Sequence, residues 1–193
     1  ASVWTTEDRA RLEAQLVAAK LPWAEATSAH VAAMFHTFLG RWKADYAAVC
    51  RARDEGADDS VRSARQACLE ERFASFVSLN ERLGSTTVTF RDGLARLGET
   101  LETRECGVHP WFLEMPEEPS RRADFLRVRD AYFSLAADSL LKQSGEQLAE
   151  TAALRAEATA LGFPQLATVL RQLEATFLLS LIHISEPTRR EWL

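Results

Sequence analysis

The chain has 193 residues, 47% of them hydrophobic, and a formal net charge of −5. That is enough to fill one core, or one and a half, and the acidic balance with no clustered basic face excludes a nucleic-acid partner. No apolar run reaches the roughly 18 residues of a membrane span, no signal peptide opens the chain, and the first residue is Ala, so the expectation is a fragment whose targeting sequence, if any, lies elsewhere.

A first helix is predicted over residues 6–20, with Thr5-x-x-Asp8 as a capping-box-like start and Leu12 and Leu16 facing inward. Leu21-Pro22-Trp23 then leads into the stretch that organises the chain, residues 35–83. It reads as a long helix, a short turn at 56–59, and a second long helix returning. In the first arm Phe35, Phe38, Leu39, Trp42, Tyr46, Val49 and Cys50 recur at offsets of three, four, seven and eleven. That is one apolar stripe on a 3.6-residue period, not strand alternation. In the second arm Val61, Cys68, Leu69, Phe76, Leu79 and Leu83 repeat the pattern, interrupted by Arg65 and Arg72. Pro22 fits a first-turn proline, Asp58 or Asp59 can cap the second arm, and Gly84 suits a left-handed stop. Arms of roughly 25 to 34 residues would run about 40 to 50 Å and pack antiparallel.

Residues 86–101 are predicted as a further helix with Phe90, Leu94, Leu97 and Leu101 on one side. Gly93 and Gly98 weaken it by roughly 1 kcal/mol each relative to Ala. Residues 102–120 hold three of the six prolines and read as a linker. A helix follows over 121–143, with Phe125, Val128, Tyr132, Leu135, Ala136 and Leu140 along a stripe and Gly145 as its end. Residues 146–161 are alanine-rich and stop at Gly162, and Pro164 opens a last helix with Leu166, Val169, Leu170, Leu173 and Phe177.

No strand is convincing, so the expected class is all-α. The expected architecture is an antiparallel helical bundle built on a long helical hairpin, followed by a degenerate tetratricopeptide-like helix pair. The units expected are a bundle (1–101), a linker (102–120), a tetratricopeptide-like unit (121–179) and a tail (180–193). The repeat reading rests on Gly145, on Ala156 and Ala160 as small residues at a helix crossing, and on Gly162-Phe163-Pro164.

Three cysteines include no Cys-x-x-Cys pair, and no His stands at zinc spacing, so no metal ligand is assigned. Cys50 and Cys68 lie about 9 and 12 Å from the turn at 1.5 Å per residue, and could sit level across the hairpin. They are either two buried thiols acting as small apolar residues or a disulfide stapling the hairpin. The staple would place the domain outside the cytosol and leave Cys106 over.

Little else suggests chemistry. His30 and His36 lie six apart, about 240° around a helix, and share no face. His109 beside Cys106 is a formal nucleophile pair, but such pairs usually assemble from distant segments. Glu70-Glu71 and Glu117-Glu118 read as solvated faces or caps before they read as acid/base pairs. Arg65 and Arg72 flank Cys68, so their stems can cover the hairpin while their heads reach solvent or Asp45. Trp111, Phe112 and Leu113 are three apolar residues in a linker, which either fold back on a neighbouring helix or anchor a partner. No catalytic or cofactor-binding residue is assigned, and the expected partner is a protein or peptide.

The order of these marks is more specific than any one of them. Trp4 precedes the first helix and Leu21-Pro22-Trp23 the second. Trp42, Tyr46, Cys50 and Arg53 are followed by Gly56, Ser60, Arg65 and Cys68-Leu69-Glu70-Glu71-Arg72. Cys106, a proline-rich spacer and an alanine-rich segment ending Leu161-Gly162-Phe163-Pro164 complete the series. Over residues 4–175 this resembles the region downstream of the kinase domain in tetratricopeptide-containing serine/threonine protein kinases of myxobacteria and related bacteria. The resemblance implies an extracytoplasmic sensing or scaffold segment, tied to a membrane only through a segment outside this chain. It also implies that Cys106 pairs with a cysteine upstream of Ala1. The chain departs from the whole family protein in lacking a glycine-rich phosphate loop, His-Arg-Asp and Asp-Phe-Gly, so phosphate transfer is not expected of it. It also holds only about one repeat. After Phe177 the run LSLIHISEPTRREWL resembles translated sequencing-adapter read-through, so residues 180–193 are expected to be no part of the natural protein.

Overall fold

A computed structural model describes residues 4–18, 24–54, 58–85, 101–103, 105–108, 112–141 and 145–185. These hold seven helices and no strand: α1 Thr6–Ala18, α2 Ala24–Asp54, α3 Asp59–Ser85, α4 Glu105–Val108, α5 Pro119–Leu141, α6 Gly145–Ala160 and α7 Pro164–Ser185. The all-α class and the helical bundle hold. The turn residues 55–57, the linker 21–23 and all but Leu101 of the helix expected over 86–101 lie outside the described residues.

The ends of the helices follow from local chemistry. Thr5 and Asp8 make the expected capping box: the Asp8 amide donates to Thr5 Oγ1 at 3.2 Å, and the Thr5 amide donates to Asp8 Oδ2 at 2.8 Å. Asp58 caps α3, its Oδ1 accepting from the Ser60 amide (2.8 Å) and hydroxyl (2.6 Å) and from the Val61 amide. These donors hold the Asp58 carboxyl below its ordinary range. Gly162 takes a positive φ of 71° and ends α6, as expected, because a residue without Cβ adopts that turn at no steric cost. Two other glycines behave differently from expectation. Helix α3 runs through Gly84 to Ser85, and Gly145 opens α6 instead of ending α5.

Helices α2 and α3 form the hairpin. Phe38 stacks on Phe76 (5.0 Å), Trp42 stacks on Phe73 (4.5 Å), and Trp42 Nε1 donates to Leu69 O at 2.8 Å. Each pair is centred on the turn between the arms, which only antiparallel helices produce. Trp4 and Phe76 both meet Phe35 edge-on, at 4.7 and 4.9 Å. With Leu12, Leu16, Leu79 and Leu83 these rings make the first core. Burying each such side chain is worth about 1.5 to 3 kcal/mol, and ring pairs add roughly 0.5 to 1.5 kcal/mol.

A second core gathers Phe125, Val128, Leu154, Ala158, Phe163, Leu166, Leu170 and Phe177 from α5, α6 and α7. The buried face of α6 carries Gln147, Thr151, Leu154 and Ala158, spaced four, three and four apart. The buried small residue on that face is Ala158; Ala156 and Ala160, which the sequence suggested, are exposed. Helix α5 serves both cores. Its first half lies in the second, while Ala137, Leu140 and Leu141 belong to the first. There the buried Asp138 lies 3.4 Å from Arg82 of α3. Helix α7 passes Ser180 without a break and ends at Ser185; residues 186–193 lie outside the described residues.

Candidate functional site

The linker does not hang between two units. It is laid along the hairpin and fastened at successive points. Leu101 enters the first core, and buried Thr103 donates through Oγ1 to Asp45 Oδ2 at 3.0 Å. Arg65 meets the other oxygen of Asp45 at 3.4 Å, one of the two destinations, solvent or Asp45, expected for the two arginines, and Arg72 reaches Glu105 at 3.1 Å. Between these ion pairs Cys106 is joined to Cys68, with Cα atoms 5.6 Å apart. Both cysteines are buried with Val49 and Leu69, and Trp42, Tyr46 and Phe112 pack around them.

This corrects the pairing suggested by the sequence. Cys50 does not bond Cys68; it is free and exposed. Level across a hairpin is not facing across it. The α2 seam runs through Phe38, Trp42 and Val49, and Cys50 sits about 100° further round the helix than Val49. The cysteine expected to pair with one upstream of Ala1, Cys106, instead closes a link within this chain.

Farther along, the amide of Leu113 donates to Glu71 Oε2 at 2.6 Å, and that of Glu114 donates to Gln165 Oε1 at 2.8 Å. The linker thus bonds α3 on one side and α7 on the other. Glu71 is not the solvated carboxylate its neighbour Glu70 is. Burial pushes its carboxyl above the ordinary range, while the Leu113 amide, Arg129 and Arg72 pull the other way. Nearby, burial raises the Tyr132 hydroxyl, with the Glu71 charge adding to it. No spacing rule marks Glu71, because its environment comes from a segment 42 residues away.

The three apolar linker residues divide. Leu113 is buried in the second core and Phe112 is half-buried against the disulfide, so neither is a bare anchor for a partner. Leu113 joins residues of the helix over 119–141, one of the two destinations expected for a fold-back, whereas Phe112 packs on the hairpin instead. Trp111 and His109 lie outside the described residues. His30 and His36 are both exposed. Among the described residues no group of three His, Cys, Asp or Glu side chains could hold a metal ion, and no helix is long and apolar enough to cross a membrane.

Where the linker meets the α6–α7 turn it leaves a cleft of about 320 Å³. Phe125, Phe163 and Leu166, all buried, form its floor, and Met115, 48% exposed, stands at its rim. The Arg121 guanidinium closes one side. Its Nη2 donates to Leu161 O at 2.6 Å and Gly162 O at 3.1 Å, and its carbon lies 5.0 Å from the Phe163 ring centroid. Two donors of Arg121 are thus directed to carbonyls at the end of α6, and its charge remains in the lining of the cleft. Glu114 and Glu117, also lining the cleft, are exposed, and neither carboxylate has a partner among the described residues.

No family model, curated protein or solved structure matches this chain. The cleft and the fastened linker therefore stand on their own geometry. Its size falls at the low end of small-molecule sites.

Proposed function

We propose that the chain is a non-catalytic protein-interaction or sensory segment of a larger bacterial serine/threonine protein kinase, held on the extracytoplasmic side of a membrane. The observation that carries this reading is the buried Cys68–Cys106 link, which fastens the linker to the hairpin at the heart of the residue series quoted above. Structural disulfides persist in oxidising compartments and are rare in the cytosol. The α6–α7 pair, with Ala158 buried on α6, Gly162 at the turn and Pro164 opening α7, supports its tetratricopeptide-like description. Such units bind other proteins through surfaces that extend as repeats are added.

A second reading is favoured by Cys50. An exposed free thiol is at ease in a reducing compartment and a liability outside it, which suits a cytosolic helical spacer with no signalling role. Thiol titration of the denatured protein, recovered without reductant from its native cells, separates the two. One reactive thiol per chain supports the extracytoplasmic segment; three support the spacer. Reading the gene upstream of Ala1 tests the rest: a kinase domain followed by a membrane span is expected, and a start codon immediately before Ala1 overturns it.

A further inference from the structure

Residues 112–118 form a strap whose backbone is tied to three helices. Gln165 Oε1 of α7 accepts from the Glu114 amide at 2.8 Å, and Arg122 of α5 donates to Pro116 O at 3.2 Å and to Glu117 O at 3.1 Å. Carboxamide and guanidinium groups keep one protonation state across ordinary pH. The tie to α3 is different in kind. It is the Glu71 carboxyl, whose Oε2 accepts from the Leu113 amide at 2.6 Å. Its Oε1 is buried as well, yet accepts no hydrogen bond among the described residues. A carboxylate shut away from water needs donors at both oxygens, and an oxygen without one bears the full cost of desolvation.

The charged groups around Glu71 are already engaged elsewhere. Arg72 of α3 is turned to Glu105 at 3.1 Å, and Arg129 of α5 to Asp130 at 2.9 Å. Tyr132 of α5 adds a buried hydroxyl, and Tyr46 of α2 faces Glu70 at 3.2 Å. The strap's own Glu114 and Glu117 are exposed. Burial therefore outweighs the pull of the two arginines and the Leu113 amide, and favours the neutral acid. We propose that Glu71 makes residues 112–118 a pH-sensitive strap, closed on α3 while the carboxyl is protonated and released as it ionises. The protonated acid still offers an oxygen to the Leu113 amide. Once it is ionised, lifting residues 112–114 admits water to both oxygens and draws Leu113 from the second core. The Cys68–Cys106 link and the grip of Arg122 do not titrate with it, so the release stays local. The strap goes beyond the interaction reading above and does not depend on it.

Amide hydrogen exchange of the whole chain between about pH 4 and 7 tests this, each rate corrected for its intrinsic base catalysis. Opening at Leu113 and Glu114 should become several-fold more frequent as pH rises through the Glu71 titration, with a smaller change or none inside α3 and α7. Glu71→Gln keeps an acceptor for the Leu113 amide and cannot ionise, so its opening should not vary with pH. The carboxyl-carbon chemical shift of Glu71 in the parent protein reads the titration directly, whether or not the variant folds. Its midpoint should lie above about 4.3, the ordinary glutamate value. A midpoint at or below that value, or opening at Leu113 that does not follow the titration, overturns the proposal. So does Glu71→Gln retaining the pH dependence, or an equal rise inside α3 and α7, since the helices would then be unfolding with the strap.

Discussion

The two cores reach similar burial by different means. The hairpin core is built from rings, with Trp4, Phe35, Phe38, Trp42, Phe73 and Phe76 in one connected series between two helices of 31 and 27 residues. The second core has one such ring pair, Phe125 edge-on to Phe163, and works over shorter distances, with three residues joining α6 to α7. The first depends on partners far apart in the chain, including Leu101 and the end of α5. The second is largely local. Long-range closure costs more conformational entropy, and the first region accordingly carries the covalent link. A fold need not use one strategy throughout.

That contrast can be broken at its centre. Phe76 touches Phe35, Phe38 and Phe73 and is fully buried. Phe76→Ala should destabilise the protein by about 3 to 5 kcal/mol in urea unfolding, the range for buried aromatics. Leu170→Ala, equally buried in the second core, should cost about 2 to 4 kcal/mol. If both variants shift far-ultraviolet and near-ultraviolet transitions together, α5 couples the cores into one unit. Separate transitions would show two.

Replacing both Cys68 and Cys106 by Ser comes next. Their separation of 38 residues gives a loss of about 3 to 4 kcal/mol in the chain-entropy account. Cys50→Ser, at an exposed position, should stay within about 0.5 kcal/mol of the parent. An equal loss from Cys50→Ser would contradict the pairing.

A smaller effect sits at the α6–α7 turn. An added Cβ at Gly162 would lie 3.1 Å from Arg121 Nη2, and the φ of 71° strains any L-residue. Gly162→Ala should cost about 1 to 2 kcal/mol, confined to the second core, and it should also disturb the cleft. No change in the melting transition would mean the turn relaxes freely.

The subtlest test is a pH profile. Glu71 has its carboxyl pulled above the ordinary value by burial. A group raised in the folded state contributes stability fully below its unfolded pKa and loses it as pH rises through the folded one. Wild type should therefore lose stability as pH climbs from about 4.3, the ordinary glutamate value. Glu71→Gln, which still offers an oxygen to the Leu113 amide, should flatten that part of the profile. Urea midpoints between pH 4 and 7 read it directly, and parallel profiles for the two proteins would show that Glu71 does not titrate there.

Much of this was legible along the chain. The hairpin, its antiparallel packing, the cap at Thr5 and the stop at Gly162 follow from periodicity or from signals within a few residues, and Asp58 is one of the two residues offered as the cap of α3. Apart from the helix ends expected at Gly84 and Gly145, the misreadings share one cause. Cys50 against Cys106, Ala156 against Ala158, and Glu71 as a surface carboxylate each turned on which way a side chain faced, or on what a distant segment laid over it. A stripe tolerates an error of one residue, or 100° of rotation; a covalent partner does not.

The sequence by itself determined six of the seven described helices and most of the buried residues along them, because propensity, capping and hydrophobic period act within a few turns. Only the tertiary structure decided that the linker lies along the hairpin, which cysteine it brings to Cys68, and that Glu71 receives the amide of Leu113. Those facts depend on where segments tens of residues apart come to rest, and no local pattern encodes that.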